Sequence, residues 1–258
     1  MYPYVNTEEI RMRLANKNAI VTGGAQGFGA GIVDKFLAEG AKVLIADING
    51  DAADQKASFH ERSIGCAVDV SDSTSVKHMT ETALSVLGRI DILVNNAGIT
   101  HRPAPLDTVK EEDFDRIIAV NCKSIYLTAQ SIVPIFKRQS SGVILNVSST
   151  AGLSPRPNLN WYNASKGWVN TATKTMAIEL APDGIRINAL NPVAGETPLL
   201  KSFMGEDTPE MRAKFLSTIP IGRFSQPEDI GNAACFLCSD EASMITGVLM
   251  EVDGGRCI

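Results

Sequence analysis

Apolar residues along this chain alternate between two patterns. Residues 18–24, NAIVTGG, form a short apolar run that ends in a glycine turn and read as a first strand. Ile32, Val33, Phe36 and Leu37 then recur at helical spacing as far as Gly40, a C-cap signal. Similar apolar runs at 41–47, 63–70, 90–98, 142–149, 185–192 and 246–255 predict six further strands. Helical spacing separates them, over 50–62, 75–88, 111–139, 161–184 and 226–240, with Pro134 expected to kink or break the long one. Residues 1–14 form a polar leader, and 197–220 is less regular. Strands apolar on both faces, separated by helices, imply an α/β fold with a parallel sheet covered on both sides.

Composition narrows the class. A chain of 258 residues, 44% hydrophobic and 21% charged, has material for one large core, and no repeat or Pro/Gly/Ser-rich linker argues for two domains. A net charge of −5 without a Lys/Arg cluster argues against a nucleic-acid partner. The leader carries charges where a secretory signal is apolar, and no run suits a membrane span. With five cysteines, an odd number, this predicts a cytoplasmic protein in a reducing compartment, with no membrane partner and with chance sequons at Asn146 and Asn163. Cys235 and Cys238 have C-x-x-C spacing, which suggests zinc or redox chemistry. They lie on an apolar helical pattern with no second ligand pair, so burial is the preferred reading and no metal is expected.

In such a sheet ligands bind beyond the carboxyl ends of the strands. The first strand ends in Thr22-Gly23-Gly24-Ala25-Gln26-Gly27-Phe28-Gly29. Glycines between a strand and a helix allow a tight turn and close approach of the backbone to a pyrophosphate at the helix N-terminus. Asp47 ends the second strand, followed by Ile48. Its carboxylate can accept both ribose hydroxyls and would repel a 2′-phosphate, and no Arg or Lys interrupts the glycine turn, so the cofactor is read as NAD rather than NADP. The alternative for Asp47 is a helix N-cap. Asp69, followed by Val70 at the end of the third strand, either accepts from an adenine amino group or caps the next helix.

Tyr162 and Lys166 stand at i and i+4, on one helix face. A free tyrosine ionises near 10, and a neighbouring cation lowers that value, so the pair can exchange a proton near neutral pH. Taken alone, the pair also suits a solvated helix. Ser149 ends the fifth strand, where a hydroxyl can hold a substrate oxygen.

The order T-G-x-x-x-G-x-G from Thr22, N-N-A-G from Asn95, and Ser149 followed by Tyr162-x-x-x-Lys166 resembles the short-chain dehydrogenase/reductase superfamily over essentially the whole chain after the leader. The resemblance implies a Rossmann-like doubly wound sheet of about seven strands in a single domain, and metal-free interconversion of a secondary alcohol and a ketone with NAD(H). It implies that Tyr162 is the acid/base, and that Lys166 binds the nicotinamide ribose and lowers the Tyr162 pKa. Ser149 would polarise the substrate oxygen, and Asn121 would hold a water for proton relay. Asn96, Ala97 and Gly98 would line the cofactor crevice. The loop Pro192-Val193-Ala194-Gly195-Glu196-Thr197 would contact the nicotinamide through Pro192, Gly195 and Thr197. It lacks the family's glycine after the proline, which leaves the local backbone path open. A homotetramer joined through the C-terminal segment is also implied.

Rival readings are a hydrolase built on Ser149, which lacks the G-x-S-x-G elbow, and a non-catalytic NAD-binding regulator. A third is a 3-oxoacyl-thioester reductase, disfavoured by Asp47 because biosynthetic reductases usually take NADP(H). Leu199, Leu200, Phe203, Met204, Met211, Phe215 and Leu216 suggest either a mobile substrate lid or a fixed helix packed on the core. Trp161 is a candidate aromatic wall. His60 and His78 are placed in solvated helices, and His101 and Arg102 at the substrate mouth or on loop surface.

Overall fold

The computed structural model describes residues 12–258. Most of the polar leader assigned to 1–14, and with it the signal-sequence argument, lies outside the described residues. The strands are β1 (Asn18–Thr22), β2 (Lys42–Asp47), β3 (Ser63–Ala67), β4 (Ile92–Asn95), β5 (Gly142–Val147), β6 (Ile185–Pro192) and β7 (Leu249–Val252). They form one parallel sheet in the order β3-β2-β1-β4-β5-β6-β7. The third predicted strand stops at Ala67, three residues short of Val70.

The helices are α1 (Gly27–Ala38), α2 (Gly50–Ala57), α3 (Ser73–Leu87), α4 (Glu111–Ile117), α5 (Ser124–Gln139), α6 (Asn160–Leu180), α7 (Leu200–Met204), α8 (Pro209–Leu216) and α9 (Pro227–Cys238). Two apolar layers hold them to the sheet. On one face Ile32 and Phe36 of α1 meet Ile230, Ala234 and Leu237 of α9 over Val21, Ile45 and Val94. On the other, Met79 of α3 and Ile132 and Phe136 of α5 cover Ile20, Leu93 and Ile144. Each fully buried Ile or Phe contributes about 1.5–3 kcal/mol, so both faces are needed to hold a sheet whose central strands expose nothing. Cys235 and Cys238 belong to the first layer, and burial pushes the Cys235 thiol up to about 11. Neither thiol is set up as a nucleophile or ligand.

The long helix expected over 111–139 is interrupted, but not at the proline. A π-turn, Ile118–Lys123, separates α4 from α5, whereas Pro134 sits inside α5. A proline removes a single i→i−4 donor, which a long packed helix tolerates. The π-turn instead brings Asn121 inward. α2 ends at Ala57, and the Ser63 hydroxyl donates to the Ala57 and His60 carbonyls there, so His60 lies past the helix rather than in it. His78 is exposed on α3. Among the described residues no helix is long and apolar enough to cross a membrane.

Candidate active site

The strand order reverses beside β1, and there the carboxyl ends of the strands open into a cavity of about 440 Å³. At one end the backbone of Gly23, Gln26, Gly27, Phe28 and Gly29 forms the rim. Gly27 has φ +56, a left-handed conformation that glycine adopts freely, and a Cβ on Gly29 would overlap the Gly23 carbonyl. Gln26, at the α1 N-cap, offers no side-chain hydrogen bond, and no acidic residue occupies the first turn. The first-turn N–H groups and the positive end of the helix therefore face the cavity unneutralised, a setting suited to a phosphate.

Beyond them lie Asp47, Ile48, Val68, Asp69 and Val70. Asp47 is buried, its Oδ2 accepting from Ala25 N at 3.1 Å and its Oδ1 from Asn49 N at 3.1 Å. It caps no helix, because the α2 N-cap is Asn49. Asp69 is exposed and accepts from Ser71, while Asp72 caps α3, so the capping alternative passes from Asp69 to Asp72.

Asn96, Ala97 and Gly98 line the middle of the cavity. Asn96 also ties the end of β4 to the glycine turn, its Nδ2 donating to the Thr22 and Gly23 carbonyls at 2.8 and 2.9 Å. Pro192, Gly195 and Thr197 form the opposite wall. The missing glycine of this loop leaves the path regular: Pro192 completes β6, Val193 N donates to the Val252 carbonyl, and the Val193 side chain is buried.

Ser149, Tyr162 and Lys166 also line this cavity. Ser149 is held at its backbone, its carbonyl accepting from Asn191 Nδ2 at 2.8 Å, and Asn191 is braced in turn on Asn170 of α6. Beneath them a buried chain of Thr128, Asn95, Asn146 and Thr173 locks α5, β4, β5 and α6 together. The two sequon asparagines are therefore interior or nearly so. Lys166 Nζ donates to the Val147 carbonyl at 2.9 Å and lies 5.8 Å from the centre of the Tyr162 ring. Burial pushes the Tyr162 phenol up to about 12, against the effect of Ser149, and the Lys166 ammonium down to about 8. The lowered tyrosine value expected from the i, i+4 pair is thus not the dominant effect, because loss of water outweighs the neighbouring cation.

Asn121 stands behind the cavity wall. Its Oδ1 accepts from Ile99 N at 2.9 Å, and its Nδ2 donates to the Ile99 carbonyl at 2.9 Å and to Ser165 Oγ at 3.0 Å. Both amide N–H groups are used in pinning the segment after β4 to α6.

Trp161 turns away from the cavity and meets Phe114 edge to face at 5.3 Å. The aromatic wall is Phe203, 5.0 Å from the Tyr162 ring, with Phe215 further along the lining. Periodicity flagged both as lid residues but not the face they present. Leu200 and Met204 pack with Val193, Ile219 and Phe224 in a small cluster apart from the two sheet layers. His101 is buried, with its Nδ1 donating to the Arg102 carbonyl, and both residues line a second cavity instead of the main one. Arg156, in an irregular loop without periodicity, lines the main cavity and had no sequence signal.

A family described as enoyl-(acyl carrier protein) reductase matches residues 23–256. The chain is 48% identical over 252 residues to the 4-formylbenzenesulfonate dehydrogenase of Comamonas testosteroni, covering 96% of this chain and all of that one. It is 42% identical, at the same coverage, to the 3-oxoacyl-[acyl-carrier-protein] reductase of Thermotoga maritima. A crystal structure described as 3-ketoacyl-(acyl-carrier-protein) reductase from Brucella melitensis complexed with NADH superposes with a TM-score of 0.91 at 49% identity, covering 95% of this chain and all of that one. At these identities and coverages the chain belongs to the short-chain dehydrogenase/reductase superfamily: it is an oxidoreductase acting on CH–OH or carbonyl groups.

Proposed function

We propose that this enzyme interconverts a secondary alcohol and a ketone with NAD(H). The observation that carries the reading is that one cavity joins the glycine turn and Asp47 at one end to Ser149, Tyr162 and Lys166 at the other. The uncapped N-terminus of α1 suits a pyrophosphate, and the Asp47 carboxylate suits ribose hydroxyls. Among the described residues no basic side chain at that end of the lining awaits a 2′-phosphate, which favours NAD over NADP. Asp69, Val70 and Ile48 would flank the adenine, and Asn96, Ala97, Gly98, Pro192, Gly195 and Thr197 the nicotinamide half.

The nicotinamide dinucleotide that these residues would hold would supply the hydride chemistry. The protein's own part is proton traffic and orientation. Ser149 Oγ donates to the substrate oxygen and draws charge toward it. Tyr162 takes the hydroxyl proton of an alcohol or returns one to a carbonyl oxygen. Lys166, fixed on the Val147 carbonyl, favours the phenolate with its charge. Asn121 sets the position of the wall at Ile99, and its Oδ1, which accepts from Ile99 N, has a second lone pair that would order a relay water.

A second reading, reduction of 3-oxoacyl thioesters, is favoured by the names of two relatives. The cofactor argument against it weakens, since the Brucella protein of that name was crystallised with NADH. We read the chain as a single cytoplasmic domain that assembles as a homo-oligomer. Met244, almost fully exposed in the C-terminal segment, supports such a contact. The test is NADH formation from NAD⁺ or NADP⁺ across secondary alcohols, polyols, hydroxy acids and 3-hydroxyacyl thioesters. Turnover with NAD⁺ on any of them supports the reading, and NADH binding without turnover on all of them points to a regulator.

A further inference from the structure

Arginines around the substrate end of the cavity divide into two kinds. Arg212 pairs with Asp207 and with Glu196, and Arg223 with Asp229. Arg156 and Arg256 have no carboxylate within 4.0 Å among the described residues. Arg156 lines the cavity, donates to Thr218 Oγ1 at 3.0 Å and lies 4.5 Å over the Phe215 ring. Arg256 donates to Ser154 Oγ at 3.2 Å, and Ser154 is itself on the lining. The Arg256 Nε is buried with no hydrogen-bond partner among the described residues. Burial and the like charge of Arg256 push the Arg156 guanidinium down from its ordinary value. Two half-buried cations that repel one another, and whose side-chain hydrogen-bond partners among the described residues are the neutral hydroxyls of Thr218 and Ser154, are costly.

Leu159, Leu199, Phe203 and Phe215 give this end of the cavity an apolar wall beside the polar groups of Ser149, Ser154, Tyr162 and Asn163. An oxyanion meeting the guanidinium through two parallel N–H bonds would neutralise the pair, while an apolar body fills the space beside Tyr162. Because Arg156 also touches Phe215 of α8 and Thr218 just beyond it, such a ligand would fasten the segment over the cavity.

Resting on the oxidoreductase reading above, we propose that the substrate is an anionic one: an alcohol or carbonyl compound with an apolar body ending in a carboxylate, sulfonate or phosphate, bound by Arg156 with support from Arg256. A guanidinium that merely latches α8 would make the same protein contacts but would not discriminate charge, so the probes are matched pairs. Benzoate against benzamide, and benzenesulfonate against benzenesulfonamide, are titrated calorimetrically into the protein with and without saturating NADH. The anions are expected to bind about tenfold to hundredfold tighter than their neutral partners. Arg156→Met removes that preference, Arg256→Met reduces it, and Arg156→Lys retains part of it. Acetoacetyl-CoA, run beside them, separates a small anionic substrate from the phosphates of a thioester carrier. Equal binding within each pair, no anion binding, or a preference that survives Arg156→Met overturns the proposal. NADH titration of the same proteins reports separately on the cofactor reading. Anion preference without NADH binding removes that reading and leaves the anion site, whereas NADH binding without anion preference does the reverse.

Discussion

Replacing Lys166 with methionine keeps the length and apolar stem of the side chain and deletes only its charge. Lys166 Nζ lies 5.8 Å from the centre of the Tyr162 ring. At an effective dielectric constant of about 20, a unit charge at that distance stabilises a phenolate by about 3 kcal/mol, or about 2 pKa units. Burial holds the phenol up at about 12 with Lys166 in place, so deleting the lysine's charge takes the phenol further from neutrality. The Lys166 pKa is itself pushed down to about 8, so its charge is present below that pH and fades above it. The expected outcome for Lys166→Met is a rising limb of kcat/KM for alcohol oxidation displaced upward by about 2 pH units, with a fall of about a hundredfold near neutral pH. The assay is NADH absorbance across pH, with NADH affinity and melting temperature as controls, since the Val147 carbonyl loses its donor. A profile that superimposes on the parent's would refute the electrostatic role of Lys166.

Tyr162→Phe keeps the edge contact with Phe203 and removes only the hydroxyl, so turnover should fall by about 10²–10⁴-fold while NADH affinity, read by fluorescence, stays within a few fold. Retained turnover would remove Tyr162 as the acid/base. Asp47→Ala combined with Ile48→Arg should move the NAD⁺/NADP⁺ preference toward NADP⁺, because Ile48 is 77% exposed on the cavity rim; an unchanged ratio of kcat/KM values would show that the ribose is read elsewhere. Asn121→Ala strips three hydrogen bonds from Ile99 and Ser165 and should cost about 1–3 kcal/mol, seen as a lower midpoint in urea. An unmoved midpoint would mean that water takes over those bonds.

The parts of this structure legible in the sequence are those with a local cause. Seven apolar runs became seven parallel strands, those at the centre of the sheet buried on both faces, and the residues at the carboxyl ends of the first six met in one cavity. The i, i+4 spacing put Tyr162 and Lys166 on one face of α6. What was not legible depends on partners remote in sequence. The apolar spacing of 111–139 is nearly the same whether one turn holds four residues or five, so the π-turn left no trace, whereas Pro134, where a break was one expectation, lies within an unbroken α5. Trp161 and Phe203 are equally aromatic, and only the fold decides which of them faces Tyr162. Arg156 sits in a loop, where nothing periodic says that its guanidinium reaches the cavity. The sign of the tyrosine shift needs burial, which spacing alone does not report.

The π-turn also constrains how this chain can change length. An α-helix advances its side chains by about 100° per residue, so deleting one residue within Ile118–Lys123 would restore regular winding and swing everything after it by about that angle relative to α4. Asn121 would lose Ile99, and the stripe of α5 carrying Ile132 and Phe136 would turn off the sheet. Substitutions at exposed positions such as Lys123 leave the winding unchanged, so the segment should tolerate many exchanges of residue and almost no change in their number.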